Sequence, residues 1–264
     1  MGVNTTPSRR SMFTPHVTDD SRPPLRHLDR FTELWDPASY SGQAWIALSA
    51  TQLEDDEART AAQKRRILDG WIDLLSAGDA PITHLYLCSR VPQRLLDAVS
   101  GLPDLRYLAV KWGPYEDLGP LSDLHLIEAL HLGGATRVTT LAPLRLLPDL
   151  VEVDLSNAFR LADFSELGDL TALRYLTLGT GIGTDRLLHI PDLEWVRPLR
   201  HLHWFHLPGA TIDSADLSPA ADLPELAYFG APLRSTWRSQ VMALAERNPA
   251  FLDMAMEYQA LEKG

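Results

Sequence analysis

One pattern constrains this chain more than any other: apolar-x-x-apolar-x-apolar returns seven times at nearly constant spacing. It starts at Ile82 (with Leu85 and Leu87), Leu105 (Leu108, Val110), Ile127 (Leu130, Leu132), Leu150 (Val153, Leu155) and Leu173 (Leu176, Leu178). Looser copies start at Leu202 (Phe205, Leu207) and Leu226 (Phe229, Ala231), and the successive steps are 23, 22, 23, 23, 29 and 24 residues. Side chains alternate across a strand, so the second and third apolar residues of each copy share one face. One such turn cannot bury that face alone. Stacked turns cover one another and form a continuous core, with parallel strands along one side.

The linkers agree. Leu102-Pro103-Asp104-Leu105, Leu147-Pro148-Asp149-Leu150 and Leu223-Pro224-Glu225-Leu226 precede copies of the motif, and proline ends a helix where each turn must re-enter a strand. The repeats resemble the leucine-rich-repeat family in its short bacterial form of roughly 22–23 residues. The resemblance covers about residues 80–232. It implies an α/β solenoid, a right-handed coil with a parallel sheet on its concave face. The family's asparagine position is occupied here by Arg90, Gly113, Ala135, Ala158, Gly181, Ala210 and Arg234, with Asn157 one residue off. Without that amide ladder, backbone groups in the turns must bond water or one another. The 29-residue step predicts a longer loop in which Gly179, Gly181 and Gly183 take unusual backbone angles.

An open solenoid exposes its core at both ends, so helical caps are expected. Ala44–Ala50 reads as a strand. Thr51 with Glu54 has capping-box spacing, the acidic run Glu54–Glu57 suits a helix N-terminus, and Ile67, Leu68, Trp71, Ile72, Leu74 and Leu75 form a helical stripe ending near Gly78. Trp237, Val241 and Leu244, then a break at Asn248-Pro249, then Phe251, Met254, Tyr258 and Leu261 predict two short amphipathic helices. The expected organisation is a mobile tail over 1–24, a strand–helix cap over 25–80, about seven repeats over 81–232 and a helical cap over 233–264.

Composition narrows the partner. The formal net charge is −11, with −8 inside residues 81–232, a field that opposes a phosphate backbone and argues against nucleic acid. No run approaches the roughly 18 apolar residues that cross a bilayer, and the N-terminal segment has no signal-peptide core. No membrane partner is therefore expected. With one cysteine, Cys88, no intramolecular disulfide can form, and a reducing cytoplasm fits. Three of the 24 basic residues are lysine, a bias that fits a GC-rich bacterial genome.

Function is expected on the strand face opposite the leucines. Its residues include His84, Tyr86, Tyr107, Lys111, His131, Glu152, Asp154, Tyr175, Thr177, Trp204, His206 and Tyr228. Tyrosine and tryptophan are not needed there for the core and are the types that anchor interfaces. The expectation is a non-catalytic scaffold holding a protein or peptide, a basic one in keeping with the acidic charge, with no cofactor and no metal. The oligomeric state is not legible. An alternative is a hydrolase built from His131, Asp154 and Ser156, though Ser156 lacks a strained elbow; another is a structural subunit of a larger assembly. Cys88 is a further nucleophile candidate. The histidines at 201, 203 and 206 do not share one strand face, so they do not converge as metal ligands. Leu178–Gly183 reads as a turn rather than a nucleotide loop.

Overall fold

The computed structural model describes residues 30–53, 59–181 and 184–261. The tail expected over 1–24, the acidic run Glu54–Glu57 and Gly183 lie outside the described residues. The strands are β1 (Thr32–Leu34), β2 (Trp45–Leu48), β3 (His84–Arg90), β4 (Tyr107–Trp112), β5 (Ala129–Leu132) and β6 (Glu152–Ser156). They continue as β7 (Tyr175–Gly179), β8 (Leu188–Ile190), β9 (Trp204–His206), β10 (Ala210–Ile212) and β11 (Tyr228–Gly230). The helices are α1 (Ala61–Ser76), α2 (Gln93–Asp97), α3 (Ser165–Gly168), α4 (Ser218–Ala221), α5 (Arg238–Arg247) and α6 (Leu252–Leu261).

Among the described residues nine strands form one parallel sheet in the order β1-β2-β3-β4-β5-β6-β7-β9-β11. Each repeat contributes one of them, beginning two residues after its first apolar residue. Register aligns the motif across the sheet, so that Leu85, Leu108, Leu130, Val153, Leu176, Phe205 and Phe229 form a single row. Every member of that row is at most 1% exposed. Burying a side chain of this size contributes about 1.5–3 kcal/mol, and the row is repeated one apolar position further along each strand. The chain is thus a leucine-rich-repeat α/β solenoid.

The linkers work as turns. In Leu102-Pro103-Asp104-Leu105 the Leu105 N–H donates to the Leu102 carbonyl at 3.1 Å, closing a β-turn whose second position is Pro103. There the ring presets the required φ. The same bond recurs from Ile127 to Leu124, Leu173 to Leu170 and Leu202 to Leu199. Backbone groups deprived of an asparagine ladder do find one another: Ala135 N–H donates to Ser156 O at 2.9 Å, and Asn157 N–H to Gly179 O at 2.8 Å. Asn157, one position early, takes φ +62° and accepts from Gly181 N–H at 3.0 Å. It thereby does locally what the family's amide would have done.

Three expectations need correction. The first helix starts at Ala61, and its capping box is Thr60 with Gln63, not Thr51 with Glu54. Thr51 instead donates its N–H to Ser89 Oγ at 3.1 Å and its hydroxyl to Arg90 O at 2.6 Å. Second, the 29-residue step holds β8, which pairs with β10 in a small parallel sheet of its own. Third, Gly179 and Gly181 do not take positive φ. Gly179 is needed for close approach, since a Cβ there would lie 1.9 Å from the Pro208 carbonyl oxygen.

On the apolar face of α1, Ile67, Trp71 and Leu75 are buried, and Trp71 Nε1–H donates to Trp35 O at 3.1 Å. After β11 the chain forms α5 and α6, divided at Asn248-Pro249, where the Asn248 side chain accepts from Ala250 N–H at 2.9 Å. Phe251 stacks on Phe229 with centroids 4.6 Å apart. Among the described residues no helix is long and apolar enough to cross a membrane.

Candidate functional site

Parity places the candidate residues on one wall. Leucines at alternate strand positions take the inner face, which leaves two in-register rows on the outer face. One runs Trp45, His84, Tyr107, Ala129, Glu152, Tyr175, Trp204, Tyr228; the other runs Ala47, Tyr86, Ala109, His131, Asp154, Thr177, His206, Gly230. Lys111 follows on the same parity at the exposed end of β4. The candidate residues therefore share the sheet face opposite the leucine core.

The rings gather in two groups. Toward the first strands, Phe31 meets Trp45 edge-on at 5.4 Å, and Trp45 stacks on His84 at 3.5 Å. His84 and Phe31 both contact Tyr107 at 5.9 Å, and Tyr107 meets His131 at 5.3 Å. Toward the last strands, Trp204 stacks on Tyr228 at 3.9 Å with His206 beside both. Phe31 and Trp45 were not among the candidates. Trp45 had a signal, because its strand continues the same alternation one position before the repeats. Tyr107 also departs from expectation: it is 6% exposed, packed with Ala109, Ala129, Phe31 and Tyr86. The two alanines leave room beside the ring that the aromatic neighbours fill. Tyr175, Trp204 and Tyr228 remain half-buried.

Between the groups the face is acidic. Glu152 is 3% exposed; its Oε1 lies 2.6 Å from His131 Nε2, and its Oε2 has no hydrogen-bond partner among the described residues. Asp154 sits two residues along the same strand. Burial raises its carboxyl above the ordinary range, Glu152 adds to that, and His131 opposes it. A cavity of about 250 Å³ lies at the far end of the wall, lined by His206, Tyr228, Asp253 and Glu257 among others. Burial and the adjacent Asp253 both raise the Glu257 carboxyl.

The hydrolase arrangement is not assembled. His131 pairs with Asp154 in register but bonds Glu152, while Ser156 Oγ accepts from Gly134 N–H at 3.2 Å. Burial, reinforced by Glu33, pushes the Cys88 thiol up to about 11, which leaves it protonated at neutral pH and a poor nucleophile. His201 and His203 turn toward Glu225 and His206 toward Tyr228. Among the described residues no group of three or more His, Cys, Asp or Glu is placed to hold a metal ion.

No family model matches this chain, and no curated protein matches it. Solved structures do. An internalin C2 from Listeria monocytogenes is similar over 64% of this chain and 70% of its own, at 22% identity and TM-score 0.47. A second Listeria internalin is similar over 75% and 58%, at 18% identity and TM-score 0.49. A leucine-rich-repeat protein of Leptospira interrogans is similar over 61% and 39%, at 21% identity and TM-score 0.47. The last two are thus matched over less than two thirds of their own length. At these values the fold assignment rests on the chain's own parallel strands and repeat register.

Proposed function

We propose that this chain is a non-catalytic scaffold that binds a protein or peptide on the outer face of its repeat sheet, the concave face in the leucine-rich-repeat reading. The observation that carries it is the placement of Tyr175, Trp204 and Tyr228, half-buried in one register row on the face the leucine core does not use. Rings of this kind offer large contact area at low entropic cost, and truncating a central one typically removes about 2 kcal/mol or more of binding energy. In this reading α1 and the pair α5–α6 close the ends of the stack over 25–80 and 233–264. The single thiol, Cys88, suits a cytoplasmic setting.

The test is capture of partners by the tagged full chain beside a Tyr175→Ala/Trp204→Ala variant. Both side chains lie outside the leucine core, so the variant keeps its fold. The wild type is expected to hold a stoichiometric protein that the variant loses. Retention of that protein by the variant, or a hydrolytic activity abolished by Ser156→Ala, contradicts the proposal.

A further inference from the structure

Glu152 carries an unusual burden for a surface strand. It is almost fully buried, its Oε1 is held by the His131 ring, and its other carboxylate oxygen lacks any donor among the described residues. Leaving such an acceptor unpaired costs about 1–3 kcal/mol, more when it is charged. A second carboxylate, Asp154, projects from the same face of the same strand and is partly accessible. On the β7 side the site is bordered by the half-buried rings of Tyr175 and then Trp204, while Ala129 separates it from the buried Tyr107 on the other. Two carboxylates beside a row of accessible rings form the chemistry that holds a guanidinium, whose planar donors pair with carboxylate while its face lies on a ring.

We propose that the Glu152–Asp154 notch receives an arginine side chain from an extended segment of the partner protein, with Asp154 as the direct ion-pair partner and Glu152 adding charge from behind. The inference rests on the sheet-face function proposed for this chain and names its partner chemistry. Charge complementarity supports it, since residues 81–232 carry −8.

A second, separate feature extends it. The cavity lined by Tyr228, His206, Asp253 and Glu257 again joins rings with two carboxylates. It lies three strand positions from Glu152, through β7 and β9 to β11, or about 14 Å at the usual strand spacing. An extended peptide advances about 3.3 Å per residue, so a segment crossing the strands brings side chains about four residues apart to the two sites. The partner segment therefore carries two basic residues at roughly that separation.

The experiment is selection of random peptides displayed on phage against the immobilised full chain, followed by calorimetric titration of the winners. Winners are expected to carry two basic residues about three to five apart. Replacing the central arginine by citrulline, which keeps shape and removes charge, should weaken binding tenfold or more on unaltered protein, and Asp154→Asn should do the same. Winners that need Trp204 but tolerate citrulline and Asp154→Asn overturn the carboxylate notch and leave the sheet-face function standing. Winners indifferent to Trp204→Ala overturn both. The full chain with Arg9, Arg10, Arg22 and Arg26 changed to glutamine should bind the peptides unchanged. A tenfold rise would instead assign the notch to this chain's own N-terminal segment and overturn the proposal.

Discussion

His131 faces Asp154 across β5 and β6 in register, yet its Nε2 reaches diagonally to Glu152 Oε1 at 2.6 Å. That diagonal commits the imidazole to Glu152 rather than to Asp154. It also ties a buried carboxylate into the face between the two groups of rings. Burying a carboxylate with one oxygen unpaired costs stability.

Glu152→Gln relieves that cost, because an amide keeps a hydrogen bond to His131 without a buried charge. Urea denaturation should show the variant as stable as the wild type or more stable by about 1 kcal/mol. A loss of about 2 kcal/mol or more would mean that the carboxylate is a structural necessity.

Leu130 lies fully buried in the row that crosses every repeat, whereas Leu146 is 62% exposed on the 3-10 helix Ala142–Leu146. Leu130→Ala should therefore cost about 2–5 kcal/mol. Leu146→Ala should stay within about 0.5 kcal/mol. Equal effects in denaturant titration would contradict the assignment of the inner face.

Gly179 meets the Pro208 backbone too closely for any side chain, although its φ is ordinary. Gly179→Ala should destabilise by about 3 kcal/mol through overpacking. The damage should fall on the β7–β9 contact, which amide hydrogen exchange at Thr180, whose N–H donates to the Pro208 carbonyl at 2.7 Å, would register. Unchanged protection there would show that the methyl is accommodated without parting the two strands.

Burial lowers the pKa of His206 in the folded state. A base so depressed binds protons more readily when unfolded, so its contribution to stability is present above about pH 6.5 and is lost as pH falls through the folded value. Asp154 acts in the opposite sense. Its raised pKa means that ionising it costs stability as pH rises through its folded value. Comparing wild type with His206→Gln isolates the histidine. The difference in melting temperature should change between about pH 7 and pH 5, with wild type losing more on acidification. Parallel curves would place His206 in water.

The leucine spine was legible because two periods coincide, alternation within a strand and recurrence every 22 to 24 residues over most of the repeats. Register followed from it, and so did the two outer rows. What the sequence left ambiguous was decided by long-range contacts. Thr51–Glu54 and Thr60–Gln63 are both capping-box spacings ahead of the same helical stripe. The choice falls to Thr60 because Thr51 is held by Ser89 and Arg90, nearly forty positions away. Tyr107 reads as an exposed row residue until Ala109 and Ala129 bring Phe31 and Tyr86 against it. The strands β1, β8 and β10 span three residues each, too short for alternation to announce them. The pairing of His131 with Glu152 rather than Asp154 is a side-chain choice between two neighbours on adjacent strands, and no spacing encodes it.

A scaffold of this kind requires that the outer sheet face hold the partner. A photo-crosslinking amino acid placed at Thr177, in the middle of that face, tests it directly when compared with the same group at Leu146. Illumination in cells should give a discrete protein adduct from position 177 and none from 146. An adduct from 146 with none from 177 would put the binding surface on the crossover side and contradict it.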